Sequence, residues 1–343
     1  MGKLTTLSFG ACCALMVCPA NAQTPGAIGQ VDSVQQRRQI EQTARSYEES
    51  ESAPELYPGE SSDVGPQSVL KFKPHKTYVQ AMADAQYFYT DNLFLNEQGR
   101  QESDVLVSTA QIALAPTPYD LGGGKLAPRL GYRHQWYDFG LASNTRLTVF
   151  DLQTQTFRSA RLNEFDFNAQ TIFIDGRWKR ENWTIEAGFD FARLMNTADY
   201  DQFYREFAPR WGVQRLFPLN ETKAFSVGYE GDYRFADTAL PPVTFNEDFN
   251  SRTDHSLFIA YTHTLCKHAV VQPFYRFKYT HFTAGENRDD YLNSFGLALH
   301  CFFTPQISVR AFAGYDIMNT SGSLAQDYNR LDAGGGANLS VRF

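Results

Sequence analysis

From Thr77 to the carboxyl terminus, apolar and polar residues alternate along segments of roughly 12 to 16 residues. The pattern is clearest in WTIEAGFDF over residues 183–191, where odd-numbered residues are apolar and the residues between them are polar or small. The stretch FSVGYEGDYRF over 225–235 repeats it with one glycine in the apolar series. Successive side chains of a strand point to opposite faces, so each segment predicts a β-strand with one apolar and one polar face.

The connections between these segments are alternately brief and long. We predict about twelve strands, at 77–90, 104–117, 125–139, 164–178, 183–196, 203–217, 222–236, 251–265, 269–283, 290–304, 306–319 and 330–343. The brief connections are 118–124, 179–182, 218–221, 266–268 and 305, and the longer ones are 140–163, 197–202, 237–250 and 320–329. This asymmetry is typical of an all-β, transmembrane, antiparallel up-and-down β-barrel. A soluble β-sandwich or propeller would also alternate but has no reason to show it.

The composition fits a barrel whose two faces meet different environments. Mean hydropathy is only −0.41, yet aromatic residues make up 15% of the chain and charged residues 20%. Alternation keeps the average polar while half of the wall is apolar, and the many rings suit interfacial girdles. The net charge of −7 gives no indication of nucleic-acid binding.

The amino terminus has the features of a secretory signal peptide over residues 1–22. Lys3 precedes an apolar stretch at 7–17 and the triplet Ala20-Asn21-Ala22, which predicts cleavage after Ala22. Cleavage removes only Lys3 among the charged residues, so the net charge changes from −7 to −8. A lipoprotein anchored at Cys18 is an alternative, although Val17 is unfavourable before a lipidated cysteine. The apolar stretch is too short for a membrane-spanning helix.

Residues 23–75 differ from the barrel region at 76–343. They are rich in Gln, Glu, Ser and Pro, and VDSVQQRRQIEQTARSYEE over 31–49 combines helix-forming residues with few apolar ones. We predict a polar periplasmic segment that is partly helical or disordered. The alternatives are a plug for the barrel and a docking arm.

The final strand ends in GGGANLSVRF over 334–343, with Leu339, Val341 and the terminal Phe343 on one face. This ending resembles the carboxyl-terminal signal of bacterial outer-membrane β-barrel proteins, which the barrel-assembly machinery recognises. The resemblance implies a porin-like barrel in the outer membrane of a Gram-negative bacterium, surrounded by lipid and lipopolysaccharide. An even number of strands then places both termini in the periplasm.

A second resemblance lies at the exit of the first strand, in YTDNLFL over 89–95. It is similar to the Tyr-Asp-x-Asn-aliphatic-aromatic run that opens some barrels associated with surface-polysaccharide export. The alternative is a turn in which Asp91 and Asn92 satisfy backbone donors.

The charged residues of the alternating segments are expected on the inner face, because a cation at mid-depth on the lipid face costs about 2–4 kcal/mol. The predicted lumen residues are Arg129, Arg133, Glu186, Asp190, Arg210, Glu230, Asp232, Arg234, Arg276, Lys278, Arg310 and Asp316. Both signs together favour a channel for passive diffusion of small hydrophilic solutes, with sugars or oligosaccharides as candidates. The alternatives are mutual pairing that fills the lumen, and a structural or export-associated barrel. The sequence predicts no cofactor, and it leaves homo-oligomerisation open.

An enzyme is not expected, but one alternative has a concrete form because some twelve-stranded barrels are lipid hydrolases. If the connection at 118–124 is a hairpin symmetric about Leu121, Ser108 lies directly opposite His134 on the outer face. The histidine would then activate the serine as a nucleophile. The seven histidines show no metal-ligand spacing.

Cys266 and Cys301 are the cysteines that remain after signal-peptide removal. The predicted strands place both near the same rim, and the secreted location favours oxidation, so we predict a disulfide between them.

Overall fold

A computed structural model describes residues 19–51, 78–97, 99–142, 145–151, 156–239, 245–323 and 325–343. One helix, α1, spans Pro19–Glu51. The strands are β1 Val79–Thr90, β2 Ser103–Leu114, β3 Tyr119–Leu121, β4 Gly124–Phe139, β5 Arg146–Asp151, β6 Thr156–Arg161, β7 Phe167–Arg180, β8 Trp183–Asn196, β9 Gln202–Asn220, β10 Lys223–Thr238, β11 Arg252–Cys266, β12 Ala269–Phe282, β13 Asp289–Phe302, β14 Ile307–Thr320 and β15 Tyr328–Arg342.

Twelve of these strands close into one antiparallel barrel. Neighbours in sequence pair throughout, and β1 pairs with β2 on one side and with β15 on the other, which leaves no open edge. β3 adds a short hairpin to the start of β4, and β5 and β6 form a separate hairpin. The predicted all-β, up-and-down barrel is therefore confirmed, with strand ends within a few residues of those expected.

The two faces of the wall differ as the alternation predicts. Outward side chains such as Phe189 and Phe235 are 49% and 54% exposed, whereas the inward Asp254 is 3% exposed. The outer surface is apolar enough to contact lipid, and the inner surface carries the charges. No helix in the described part of the chain is long and apolar enough to span a membrane.

The barrel has two unlike ends. We call the end where β1 begins and β15 finishes the terminal end, and it carries the brief turns at 181–182, 221–222, 267–268 and 303–306. We call the opposite end the loop end, and its connections include 91–102, 140–166 and 239–251. The predicted alternation of brief and long connections is present.

The helix α1 lies inside the barrel, which differs from the expected periplasmic segment. Its side chains bond to Arg234 on β10, Arg310 on β14 and Asp332 on β15. Gly26 lies beside Phe94 at the loop end, while Ala44 packs with Val270 and Phe302 at the terminal end. The physical reason is that this polar helix has a polar lumen to pair with. The predicted signal peptide falls outside the described residues up to position 18, as do residues 52–75 of the predicted periplasmic segment.

Candidate functional site

The helix is docked against one wall of the lumen. Val34 is completely buried, and Ala27 and Val31 are nearly so. They belong to one apolar cluster with wall residues of β1, β2, β4 and β7, namely Phe88, Val105, Val107, Tyr137, Phe139 and Phe167. On the other side of the helix, Gln39 remains exposed and accepts a hydrogen bond from Arg276 of β12 at 3.3 Å. The helix is therefore off-centre, and space remains beside it.

Two arginines of the helix form ion pairs with residues of the neighbouring strands β1 and β15. The Arg37 guanidinium lies 3.2 Å from an Asp332 oxygen and stacks over the Phe88 ring, 4.2 Å from its centroid. The Arg38 guanidinium lies 3.6 Å from a carboxylate oxygen of Asp84, which is fully buried. Each buried charge thus has an opposite charge nearby, as burial requires.

Across the lumen, Asp32 connects the helix to the far wall. Its two carboxylate oxygens accept hydrogen bonds from Arg234 Nη1 and Lys278 Nζ, each at 2.9 Å. Both cations also contact Asp254, at 3.1 and 3.2 Å. This cluster ties the helix to β10, β11 and β12.

A third charge cluster spans β4, β7, β8 and β9. Arg210 bonds to Asp175 at 2.9 Å and to Asp190 at 3.2 Å, and it also pairs with Glu186. Arg129 bonds to the same Asp175 at 2.8 Å. These pairs lie within the wall, so the wall would keep them if the helix were absent.

A cavity of about 1150 Å³ lies beside the helix. Its lining includes Phe249, Arg288 and Gln326 at the loop end. At the terminal end it includes Asn182 and Gln306. The cavity therefore reaches both ends of the barrel alongside the helix.

The structure places all twelve sequence-predicted lumen residues on the inner face. All except Arg310 line the cavity, and Arg310 lies beneath the helix, bonded to Glu41. Sequence reasoning missed further inward charges that the same alternation marks, namely Asp84, Asp175, Arg252, Asp254, Arg330 and Asp332. It also missed the helix residues Asp32, Arg37, Arg38 and Glu41, for which no local pattern gives a signal.

The YTDNLFL stretch covers the first turns of the helix at the loop end. Leu93 and Phe94 are buried, and the Phe94 ring contacts Phe165 with centroids 5.2 Å apart. Asp91 Oδ1 accepts a hydrogen bond from the Leu331 amide at 2.7 Å, and Asn92 Oδ1 accepts one from the Asn96 amide at 3.0 Å. The stretch is thus a turn whose side chains satisfy backbone donors.

The direct pairing of Ser108 with His134, on which the hydrolase alternative depends, is not present. Ser108 is opposite Trp136, and His134 is opposite Ala110. The reason is the hairpin, whose tip is Gly122-Gly123 with φ of +60° and +77°, so the strands pair about a point beyond Leu121. His134 instead lies 3.1 Å from the Tyr132 hydroxyl and stacks on Trp136.

The predicted disulfide is also absent, since Cys266 and Cys301 are both free. Cys266 pairs with Ala269 from one side and Cys301 pairs with it from the other, so β12 separates them. Two interstrand steps amount to roughly 9–10 Å, beyond the Cα separation of about 4.4–6.8 Å that a disulfide spans.

The three residues of the predicted assembly signal lie at the barrel seam. Leu339 and Phe343 are 45% and 66% exposed on the outer face. The Phe343 carbonyl accepts a hydrogen bond from the Tyr78 amide at 2.7 Å, and the Phe343 amide donates to the Val79 carbonyl at 2.9 Å. The last residue therefore helps to join β15 to β1, and recognition by the assembly machinery stays a prediction.

No protein-family model matches the sequence, and the search of curated proteins gave no match. Among solved structures, the beta domain of the Bordetella autotransporter Brka is 12% identical, covering 78% of this chain and 100% of that chain with a TM-score of 0.43. An outer-membrane channel from Pseudomonas putida F1 is 10% identical, covering 77% and 96%, with a TM-score of 0.47. The KdgM porin is 10% identical, covering 75% and 98%, with a TM-score of 0.36.

The closed twelve-stranded antiparallel barrel, apolar outside and charged inside, defines the class of protein. The chain has the fold of the bacterial outer-membrane β-barrels. The comparisons identify no particular substrate.

Proposed function

We propose that this protein is an outer-membrane channel for small hydrophilic solutes, in which the helix α1 occupies part of the lumen and limits the free cross-section. The observation that supports this function is the cavity of about 1150 Å³, which extends beside the helix to both ends of the barrel. A barrel of this size without the helix would have a wider interior than a filled eight-stranded barrel.

The lining indicates the solute class. Arg133 and Arg276 face the cavity, as do Glu230 and Asp232, so opposite charges line one passage. These charged groups offer both donors and acceptors to the hydroxyl groups of a solute. Sugars and oligosaccharides fit this lining better than apolar solutes do.

The proposed orientation has the loop end outside the cell and both termini in the periplasm. Its support is the general architecture of outer-membrane barrels, with brief periplasmic turns and longer extracellular loops. In this setting the outer face contacts lipid and lipopolysaccharide, and the barrel-assembly machinery inserts the chain.

A structural or export-associated barrel is the second candidate. It is favoured by the burial of the contact that fixes the helix, since Arg310 of the wall and Glu41 of the helix are 2% and 7% exposed in their ion pair. A helix held in this way would keep the lumen closed. The two candidates differ in conductance.

Planar-bilayer recording tests the proposal. We expect small, discrete openings from the wild-type protein and larger ones from the double variant Asp32→Asn, Glu41→Gln, which loses helix contacts on two sides. The matched control is Gln35→Ala, a cavity-facing helix residue in the same environment, which should behave as wild type. Silence from all three proteins, together with no sugar uptake into liposomes, would reject the channel in favour of a structural barrel.

A further inference from the structure

A row of polar side chains crosses the outer face of five neighbouring strands near the loop end. The members are direct cross-strand neighbours, and we call them the outer polar row: His134, Gln170, Arg193, Arg205 and Asp237. They point outward with the apolar lipid-facing residues of the same strands. Polar groups on this face are unexpected unless they lie at the level of the lipid headgroups.

Two cations lie side by side in this row. Arg193 and Arg205 are directly opposite each other on β8 and β9, a position in which side chains are about 5 Å apart at Cβ and like charges repel. Arg205 Nε donates to Asp237 at 2.6 Å. Arg193 Nε donates at 2.8 Å to the neutral amide oxygen of Gln170. Within the described residues, Arg205 therefore has a carboxylate partner, whereas the partner of Arg193 is neutral.

An apolar row lies immediately below, one outward position nearer the middle of the barrel. It consists of Tyr132, Ile172, Phe191, Phe207 and Phe235, which are again direct cross-strand neighbours. Phe191 and Phe207 are each 43% exposed, and the Phe207 and Phe235 rings stack with centroids 6.2 Å apart. The outer surface thus changes from aromatic to cationic between one outward residue of β8 or β9 and the next outward residue toward the loop end.

The cationic pair is confined to this side of the barrel. At the loop end of β1, β2, β12 and β13, the outward charges are carboxylates that accept hydrogen bonds from tyrosines, as Glu102 does from Tyr89 and Asp289 from Tyr279. The whole chain is also acidic, with a net charge of −7. A general basic surface therefore does not explain the two adjacent arginines.

We infer that Arg193 and Arg205 bind the phosphate of a phosphorylated lipid in the membrane leaflet at the loop end, with its acyl chains against the apolar row. Guanidinium groups donate paired hydrogen bonds to phosphate oxygens, and a phosphate placed between the arginines offsets their repulsion. The Phe191, Phe207 and Phe235 rings provide the apolar contact that free phosphate would not use. With the orientation proposed above, this is the outer leaflet.

Native mass spectrometry of the full-length protein in neutral detergent tests the site, with phosphatidic acid as the probe and phosphatidylcholine and inorganic phosphate as comparisons. The double variant Arg193→Gln, Arg205→Gln keeps side-chain donors for Gln170 and Asp237 but removes both charges. We expect it to bind phosphatidic acid about tenfold more weakly, or worse. The control Arg215→Gln removes an equally exposed arginine of β9, which lies over the Trp183 and Phe217 rings at the terminal end, and should bind as wild type.

Thermal unfolding in the same detergent separates binding from folding. Without lipid, the double variant should melt no lower than wild type, because the repulsion between the arginines is gone. With phosphatidic acid, only wild type and Arg215→Gln should melt at a higher temperature. Wild-type affinity in the double variant, or equal binding of phosphatidylcholine, would overturn the inference. Equal stabilisation by inorganic phosphate would overturn the assignment to a lipid.

Discussion

Glu41 of α1 and Arg310 of β14 form an ion pair in which both side chains are almost completely buried, 7% and 2% exposed. On its other side, Arg310 Nη2 donates to Asp84 of β1 at 2.7 Å. The helix therefore completes a charge network that begins in the wall, and removing one member leaves a buried charge with fewer partners.

Replacing Glu41 should loosen the helix. In Glu41→Gln, Arg310 keeps Asp84 but loses a charged partner, so we expect helix docking to weaken by about 1–3 kcal/mol. Hydrogen exchange of the amides at 24–44 measures this as faster exchange in the variant. Gln35→Ala is the control and should exchange as wild type. Unchanged exchange in Glu41→Gln would show that the pair does not hold the helix.

Removing negative charge from the cavity should change ion selectivity. Glu230→Gln with Asp232→Asn takes two carboxylates from the lining of β10, and charges inside the wall are poorly screened, so cation preference should fall. Reversal potentials in a salt gradient measure it. Asp237→Asn, an outward carboxylate on the same strand, should have no effect. An unchanged reversal potential in the double variant argues against ion passage beside β10.

The loop-end connection at 140–166, which contains the β5–β6 hairpin, should lose stability as the pH rises toward neutrality. Burial, together with the neighbouring Asp138, raises the pKa of Asp166 from 3.8 to about 7, although its carboxylate accepts a hydrogen bond from the Phe139 amide at 2.8 Å. The folded state then binds a proton that the unfolded state has released, so stability falls between about pH 4 and pH 7. Asp166→Asn keeps the acceptor and removes the titration.

Limited proteolysis of residues 140–166 at pH 5 and pH 8 measures this effect. We expect faster cleavage of wild type at pH 8 and equal rates for Asp166→Asn at the two values. Asp199→Asn, which alters an exposed loop carboxylate, is the control. Equal wild-type rates at both pH values would contradict the raised pKa.

Cys266 and Cys301 should both be reduced. Because β12 separates Cys266 from Cys301, denatured but unreduced protein should contain two reactive thiols. In bilayers, a charged thiol reagent should label the exposed Cys266 at the end of β11 and spare Cys301, which faces lipid. The Cys266→Ser variant controls for labelling at Cys301. Absence of any thiol in the denatured protein would require the strands to pair differently.

The proposed orientation predicts which connections are accessible on cells. An epitope inserted near Asn246 or near Ser143 should be stained on intact cells, and one inserted at Asn220 should be stained only after permeabilisation. Staining at Asn220 alone would reverse the orientation.

The strands could be predicted because their signal is local. Each needs only the alternation of its own residues, and β8 occupies Trp183–Asn196, the residues expected for it. The register between neighbouring strands is less local. The offset between Ser108 and His134 in the pairing of β2 with β4 depends on Gly122 and Gly123 in the turn between β3 and β4.

The position of the helix depends on contacts that a sequence pattern does not display. Arg37 and Asp332 are 295 residues apart, and Arg310 and Glu41 are 269 apart. The sparse apolar residues of the helix suggested a solvent-exposed tail. In the structure they form a narrow stripe against one wall, and the polar residues bond to charges elsewhere on the barrel.

The direction of α1 constrains how the molecule is assembled. Its first turns lie at the loop end, whereas β1 begins at the terminal end. The helix therefore passes through the ring that β1 and β15 close, which requires that it entered before the seam formed or by threading afterwards. A reporter fused to the amino-terminal end of the helix would emerge at the loop end, and a folded reporter wider than the barrel is compatible only with closure of the seam around the helix.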